Sequence, residues 1–396
     1  MRLAILGSRG IPGQYGGFET FAEELSIRLV KRGHEVTVYC EGDEENNADN
    51  YQGVRLVHIP APRLGPLTTI IFDLRCLWHA RKLFDVVYML GYGTSIFCFI
   101  PRLWGSRVWI NMDGVEWARA KWGKLAKLWF KMMEFAAMWT PDRLIADAES
   151  IHSHLQSRHW HMPPVSVVPY GAPVIDSAPT TGLLDKWGLT AGKYHLVVCR
   201  LEPENSVKMV INGYLQSGSD NPLVVVGTID PATDYIKGLL KLNDGRIRFV
   251  GPLYDKLKLQ TLRYHSMVYF HGHTVGGTNP SLLEAMGCGS IVVAHDNKFN
   301  REVAGKIATY FRHEEDVAAS IREIESLPLS MMGWMRVMAR ERIRAAYAWD
   351  TIIDTYDRTL TEQITDFYVV RSETRVKVNG LAVVNGREKS RLVSHV

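Results

Sequence analysis

Residues 267–289 read "MVYFHGHTVGGTNPSLLEAMGCG", an apolar run, a glycine loop and the start of a helix. Asn279 is a good N-cap, because its side-chain oxygen can accept an orphan amide of the first turn. Pro280 fits the first helical position, where its missing N–H costs nothing. Gly276 and Gly277 let another molecule approach the main chain closely. Free amides at a helix start attract anions, phosphate above all. Glu284 lies four residues past Pro280, on the same helix face, with its Cβ tilted toward the mouth. A carboxylate there repels phosphate but can accept hydrogen bonds from two sugar hydroxyls. A capped core helix whose glutamate merely favours the helix dipole has the same pattern.

Working outward, the same alternation fills the chain. Short β-branched runs recur as "LAILG", "EVTVYC", "DVVYML", "RVWIN", "RLIA" and "VSVVP", then "HLVVC", "LVVVG", "IRFVG", "MVYFH" and "IVVAH". Helical patterns separate them, as expected for buried parallel strands with helices on both faces. Two such sets predict an α/β protein of two doubly wound, Rossmann-like domains. The break falls in "GAPVIDSAPTTG", which is rich in Pro, Thr and Gly. The expected layout is a first domain at 1–175, a second at 183–345, a C-terminal helix at 346–365 and a tail at 366–396. Ligands in such sheets bind beyond the carboxyl ends of the strands, so two of them predict a cleft for a two-part substrate.

Bulk properties narrow the class. The 396 residues are 46% hydrophobic and 22% charged, with a net charge of +4. That balance suits a globular chain with a sizeable core and argues against nucleic acid as a partner. The five cysteines lack C-x-x-C spacing, which fits free thiols rather than a zinc site or a disulfide frame. The N-terminus is too short in apolar residues for a signal peptide, and no run approaches the roughly 20 needed to span a bilayer. A cytoplasmic location is expected.

Several side chains could carry chemistry. Gly16 and Gly17 end the run "GSRGIPGQYGG" before an amphipathic helix, a second phosphate-friendly start facing the same cleft. Their spacing is not G-x-G-x-x-G, although Glu41 sits where a ribose-binding acid of a dinucleotide enzyme would, which keeps an oxidoreductase reading open. Arg200 follows the strand "HLVVC" and can offer a planar fork to a diphosphate, or pair with Glu202 or Glu204. Asp113 follows "RVWIN" with Glu116 close behind; either can orient an acceptor hydroxyl or take its proton, and Asp113 can equally cap the next helix. His271 and His273 read as polar pocket or packing residues. Lys121, Lys124, Lys127 and Lys131 keep roughly helical spacing beside Trp122, Leu125, Trp129 and Met132. Residues 119–133 therefore suit an anionic membrane surface, or a helix packed on the sheet.

The segments "GIPGQYGGFETFAEEL", "NMDGVEWARAKW", "RLEPEN" and "GHTVGGTNPSLLEAMGCG" together resemble the GT-B glycosyltransferases, in particular a rhamnosyltransferase branch of glycosyltransferase family 4 from bacterial capsule and cell-wall polysaccharide synthesis. The resemblance covers about residues 1–365. It implies a retaining transferase without metal or cofactor. Its co-substrate would be a nucleotide-diphosphate sugar such as dTDP-rhamnose, and its acceptor a lipid-linked saccharide at the inner membrane face. The C-terminal helix would cross back to the first domain. Gly16 and Gly17 would approach the diphosphate and donor sugar, and Arg200 would neutralise the leaving diphosphate. Glu284 would hold the ribose, while Gly277, Thr278 and Asn279 would present backbone groups to phosphates and sugar. The family pattern has a glutamate eight residues before Glu284, where this chain has Gly276; that departure fits a deoxysugar. It also has a lysine six residues after the arginine, where this chain has Ser206, so Asn205 or Lys208 would have to substitute. A non-catalytic sugar-nucleotide-binding or membrane-docking protein is the remaining alternative.

Overall fold

The computed structural model describes residues 1–13, 16–42, 48–62, 64–65, 67–119, 121–231, 233–242 and 244–362. Residues 1–353 form one compact unit and residues 354–396 a second. The expected tail at 366–396, with the last residues of the expected C-terminal helix, lies outside the described residues.

The first unit contains two sheets. The N-terminal one is built from β1 (Arg2–Leu6), β2 (Glu35–Glu41), β3 (Asn50–Tyr51), β4 (Val54–Ile59), β5 (Val86–Leu90), β6 (Arg107–Asn111), β7 (Arg143–Ala146) and β8 (Val165–Val167). Their order is β3-β4-β2-β1-β5-β6-β7-β8, parallel throughout except for β3 against β4. The second sheet has β9 (His195–Val198), β10 (Leu223–Val226), β11 (Ile247–Gly251), β12 (Val268–His271), β13 (Val292–His295) and β14 (Thr309–Phe311). It is ordered β11-β10-β9-β12-β13-β14, the doubly wound arrangement expected of a Rossmann-like domain. Strands β3, β4 and β14 lie at or next to sheet edges and fall outside the sequence reading. Arg55 interrupts the apolar run of β4, and β14 is only three residues long.

Helices on the first sheet are α1 (Gly16–Lys31), α2 (Leu67–Ala80), α3 (Phe99–Leu103), α4 (Lys124–Ala136) and α5 (Glu149–Arg158). On the second they are α6 (Val207–Ser217), α7 (Asp234–Leu240), α8 (Lys256–His265), α9 (Pro280–Gly287), α10 (Lys298–Ala304), α11 (Glu314–Glu325) and α12 (Leu329–Ala346). One core joins β-strand residues such as Met89, Val108 and Leu144 to Phe72 and Leu77 of α2 and Met133 of α4. A second joins Val197, Val225, Phe270 and Val293 to Val210 and Val317. All five cysteines are free thiols.

After α12 the chain returns to the first domain. Ala348 bridges Ala172, and Trp349 stacks on Phe21 of α1 at 6.2 Å beneath the guanidinium of Arg28. Residues 349–353 begin a helix in this unit, and residues 354–362 of the second unit are helical.

The two sheets face each other through a polar seam. The Thr278 amide donates to Asp147 Oδ2 at 2.7 Å, and its hydroxyl donates to the Asp147 carbonyl. Glu302 of α10 accepts the amides of Glu149 and Ser150, at 2.6 and 2.9 Å, at the start of α5. Lys256 of α8 reaches Glu23 and Glu24 of α1 at 2.8 and 3.0 Å. A Cβ on Gly277 would lie 2.0 Å from Asp147 Oδ1, and one on Gly114 would lie 2.9 Å from the Gly276 backbone. Glycine is thus required where the two domains touch.

Gly277→Ala should therefore force the seam apart and lower stability by about 1–3 kcal/mol, as overpacking does. Gly238→Ala, on the exposed face of α7 with no atom within 4 Å of the new Cβ, should instead stabilise by roughly 0.5–1 kcal/mol. Urea denaturation of the two variants checks both signs.

Candidate active site

In each sheet the winding reverses at one point, between β1 and β5 and between β9 and β12, and ligands of such sheets lie outside the carboxyl ends there. The loops leaving these strands enclose one cavity of about 1090 Å³. Gly16, Gly17, Asp113, Glu116, Arg200, Asn205, Gly277, Thr278, Asn279 and Glu284 all line it. Lys208 does not: it is exposed on α6, and its amide is spent on the Tyr235 hydroxyl at 3.3 Å.

The starts of α1 and α9 meet across this cavity. A Cβ on Gly17 would touch Pro280 at 3.4 Å. Asn279 caps α9 as the sequence predicts, accepting the Ser281 amide at 2.9 Å. Thr278 departs from expectation. Both its backbone amide and its hydroxyl are engaged by Asp147, so neither is open to a phosphate. The amides of Gly276, Gly277 and Asn279 carry no hydrogen bond to a described residue. These, with the first turn of α1, are the donors left for an anion.

Arg200 projects from the end of β9 and is 57% exposed, 3.7 Å from Glu202. Asn205 cannot stand in for a missing cation, because its amide donates to the Arg200 carbonyl at 2.7 Å and its oxygen meets His273 Nδ1 at 2.6 Å. It fixes the Arg200 loop instead. The second cation comes from the opposite domain. Lys121 lies 3.9 Å from the same Glu202, and burial together with Arg200 lowers its pKa. Two cations from opposite domains thus share the Glu202 carboxylate at the cavity. Arg119, 2.9 Å from Glu116 and 3.9 Å from Glu204, also lines the cavity. Burial holds Glu116 and Glu204 above the usual carboxylate range, which favours their neutral forms.

Asp113 adopts a left-handed backbone, φ +40°. It caps no helix; the next short helical turn begins after Val115. Its amide donates to Asn111 at 2.7 Å, and its carboxylate accepts the Tyr170 hydroxyl at 3.0 Å. Glu116 accepts the Trp122 indole N–H at 3.2 Å. Burial and the nearby Asp113 push Asp147 well above the ordinary carboxylate range. Asp147 directly follows β7, and Asp113 comes two residues after the end of β6, so strand-end position was the signal that would have found it.

Glu284 points at the cavity from α9 but is not a free carboxylate. It forms a short ion pair with Arg263 of α8, which is almost fully buried. Arg263 also reaches the Ser281 hydroxyl at 3.2 Å. His271 is buried, and burial with the Arg263 charge pushes its pKa down to about 3. His271 and His273 are polar lining residues.

Two facing Rossmann-like domains, one cleft between their strand ends and a C-terminal segment that returns to the first domain define the GT-B fold of glycosyltransferases. A family model described as "Domain of unknown function (DUF1972)" matches residues 1–173. No protein of curated function matches the chain. Among solved structures, sucrose-phosphate synthase from Thermosynechococcus elongatus superposes with a TM-score of 0.76 at 17% identity, covering 92% of this chain and 99% of that one. HepE from Anabaena, in complex with UDP, gives 0.72 at 16% identity over 91% and 100%. Trehalose-6-phosphate synthase from Burkholderia multivorans gives 0.69 at 12% identity over 98% and 99%. At these identities the likeness establishes the fold.

Glu284→Gln should strand the buried Arg263 charge and cost up to about 3 kcal/mol, the low end for a buried pair because Glu284 keeps some solvent contact. A loss of denaturant stability in the ligand-free protein would show this structural role, separate from any contact with a ribose.

Proposed function

We propose that the protein is a retaining, metal-independent glycosyltransferase that moves a sugar from a nucleotide-diphosphate donor, with L-rhamnose from dTDP-rhamnose as the favoured case, to a lipid-linked saccharide in bacterial cell-surface polysaccharide synthesis. The observation that carries this reading is the cavity's anion-ready end. Arg200 and Lys121 face it from opposite domains, between the start of α1 and the loop that enters α9. Sugar transfer needs the departing diphosphate stabilised as the sugar gains positive charge, and oriented donors in a water-poor cleft supply that. The two guanidinium and ammonium groups would do so without a metal. HepE, of the same fold, was solved with UDP and with UDP-glucose. A pyridine-nucleotide reading finds less support. Glu41, the residue placed for a ribose, lies outside the cavity wall and 3.9 Å from Arg9.

The acceptor side fits a substrate carried on a membrane. No helix among the described residues is long and apolar enough to cross a bilayer. Helix α4 starts at Lys124, so Lys121 and Trp122 precede it and turn inward, as does Trp129, whose indole N–H donates to the Gly93 carbonyl at 2.9 Å. The outward face is Leu125, Leu128, Met132 and Phe135, which are 52–85% exposed. Lys124 and Lys131 flank it, while Phe130 on the inner side lines the cavity. One helix thus borders the site and offers an apolar, basic face for peripheral contact with an anionic membrane.

A thermal-shift screen tests the donor. A saturating nucleotide-sugar should stabilise the fold, by about 2.7 kcal/mol at a hundred times its Kd. Arg200→Ala should weaken it by about 1.5–3 kcal/mol, the range for a charge-assisted hydrogen bond. Unchanged donor affinity in that variant would remove Arg200 from the site. Binding of NAD(H) with no response to dTDP-, UDP- or GDP-sugars would point to an oxidoreductase, and donor binding without turnover to a non-catalytic module.

Leu125→Glu with Leu128→Glu should reduce co-sedimentation with phosphatidylglycerol vesicles, since each leucine withdraws about 1.5–3 kcal/mol of apolar burial. Sedimentation equal to wild type would show that α4 does not carry the contact.

A further inference from the structure

At the end of the cavity formed by the first domain alone, a carboxylate faces inward with no cation to meet it. Asp73 lies in the middle of α2, too far from the helix start to cap it. It is 5% exposed and lines the cavity with Thr69, one turn earlier. Asp73 Oδ2 accepts the Thr94 hydroxyl at 2.8 Å. The other oxygen receives no hydrogen bond from a described residue, and among the described residues no lysine, arginine or histidine pairs with this acid. A carboxylate buried for structural reasons is normally paired or fully hydrogen-bonded. This one is half-served, and its residue lines the cavity.

The surroundings say what would complete it. Tyr92 and Phe130 also line the cavity, with ring centroids 6.2 Å apart and edge-on at 78°. The Gly93–Ser95 segment is pinned to α4 by the Trp129 indole and by the Ser95 hydroxyl on the Met133 carbonyl. Asp73, Tyr92 and Phe130 therefore form a stiff wall of acid and aromatic surface, with Thr94 behind it holding one oxygen of the acid. An acid with one oxygen unserved offers a phosphate no cation, so neither the donor diphosphate nor a lipid phosphate belongs against it. Neutral hydroxyls beside an apolar ring face do, and that combination is a sugar.

We propose that Thr69, Asp73, Tyr92 and Phe130 form the subsite for the acceptor's sugar ring, and that Asp73 is the residue that selects it by accepting ring hydroxyls. This rests on the transferase reading and names the acceptor end of the same cavity. Burial pushes the Asp73 carboxyl up to about 7, as expected for an acid whose partners arrive with the ligand. The subsite lies against the inner side of α4, so a sugar held there sits beneath the helix whose outer face is apolar.

Isothermal titration of octyl glucoside, galactoside, mannoside and N-acetylglucosaminide tests the subsite. The titrations use protein saturated with whichever of dTDP, UDP or GDP stabilises it most. Wild type should bind at least one glycoside. Asp73→Asn, which keeps the Thr94 bond and replaces the open acceptor with a donor, should weaken that glycoside by about ten- to hundredfold, with nucleotide affinity unchanged. Thr69→Val, at an exposed position that should not disturb folding, should weaken it severalfold and decides the matter if Asp73→Asn does not fold. The proposal is overturned if no glycoside binds wild type while the nucleotide does, or if the variants bind as wild type does. Failure of every nucleotide to bind wild type would instead overturn the transferase reading on which it rests.

Discussion

The cavity owes its shape to one buried carboxylate: Asp147, at the end of β7, holding the backbone amide of Thr278 from the facing domain. That bond sets how closely the second domain's glycine loop approaches the first. It leaves no room for a side chain at residue 277, and it removes Thr278 from the set of free anion donors. The rest of the seam is of the same character. Glu302 caps the start of α5, and Lys256 pairs with α1. Interdomain contacts made of such groups lose little on opening, because water satisfies the same donors and acceptors. An apolar seam of equal extent would hold the cleft shut against a nucleotide-sized ligand.

Lys121, Arg200 and Asp73 line the cavity from different elements. The cations sit on loops after β6 and β9, while Asp73 is carried by α2 within the core shared with α4. A ligand with an anionic half and a hydroxyl-rich half can meet the cations on one side and the acid on another. Helix α4 ties the wall that holds Asp73 to the outside, with Phe130 inward and Leu125 outward.

The architecture was legible because buried parallel strands announce themselves as short β-branched runs. Val54–Ile59 and Thr309–Phe311 were not, since an edge or near-edge strand need not be apolar at every position. Membership of the cavity wall was legible wherever it follows from position at a strand or helix end, as at Gly17, Asp113, Arg200 and Asn279. The site was illegible wherever a partner comes from another element or the other domain. Nothing local in "GGTNP" says that Asp147 will occupy the Thr278 amide, and nothing local at Glu284 says that Arg263 will claim its carboxylate. Lys121 misled for a related reason. Its spacing continues the lysines of α4, but the helix begins only at Lys124, and the preceding turn carries Lys121 into the cleft.

The place of that lysine bears on how the site works. Lys208, from the same domain as Arg200, would give a cation pair whose spacing is fixed whether the cleft is open or closed. Lys121 instead belongs to the first domain, and Asp147 determines how near it comes to Arg200. Under the proposed reading, full compensation of the diphosphate charge exists only when the domains are together. The anion then pulls the two halves inward, because each cation gains more from it than from Glu202 at 3.7–3.9 Å. Closure also excludes the water that would hydrolyse the donor. A single ligand charge would thereby assemble the leaving-group site and protect it.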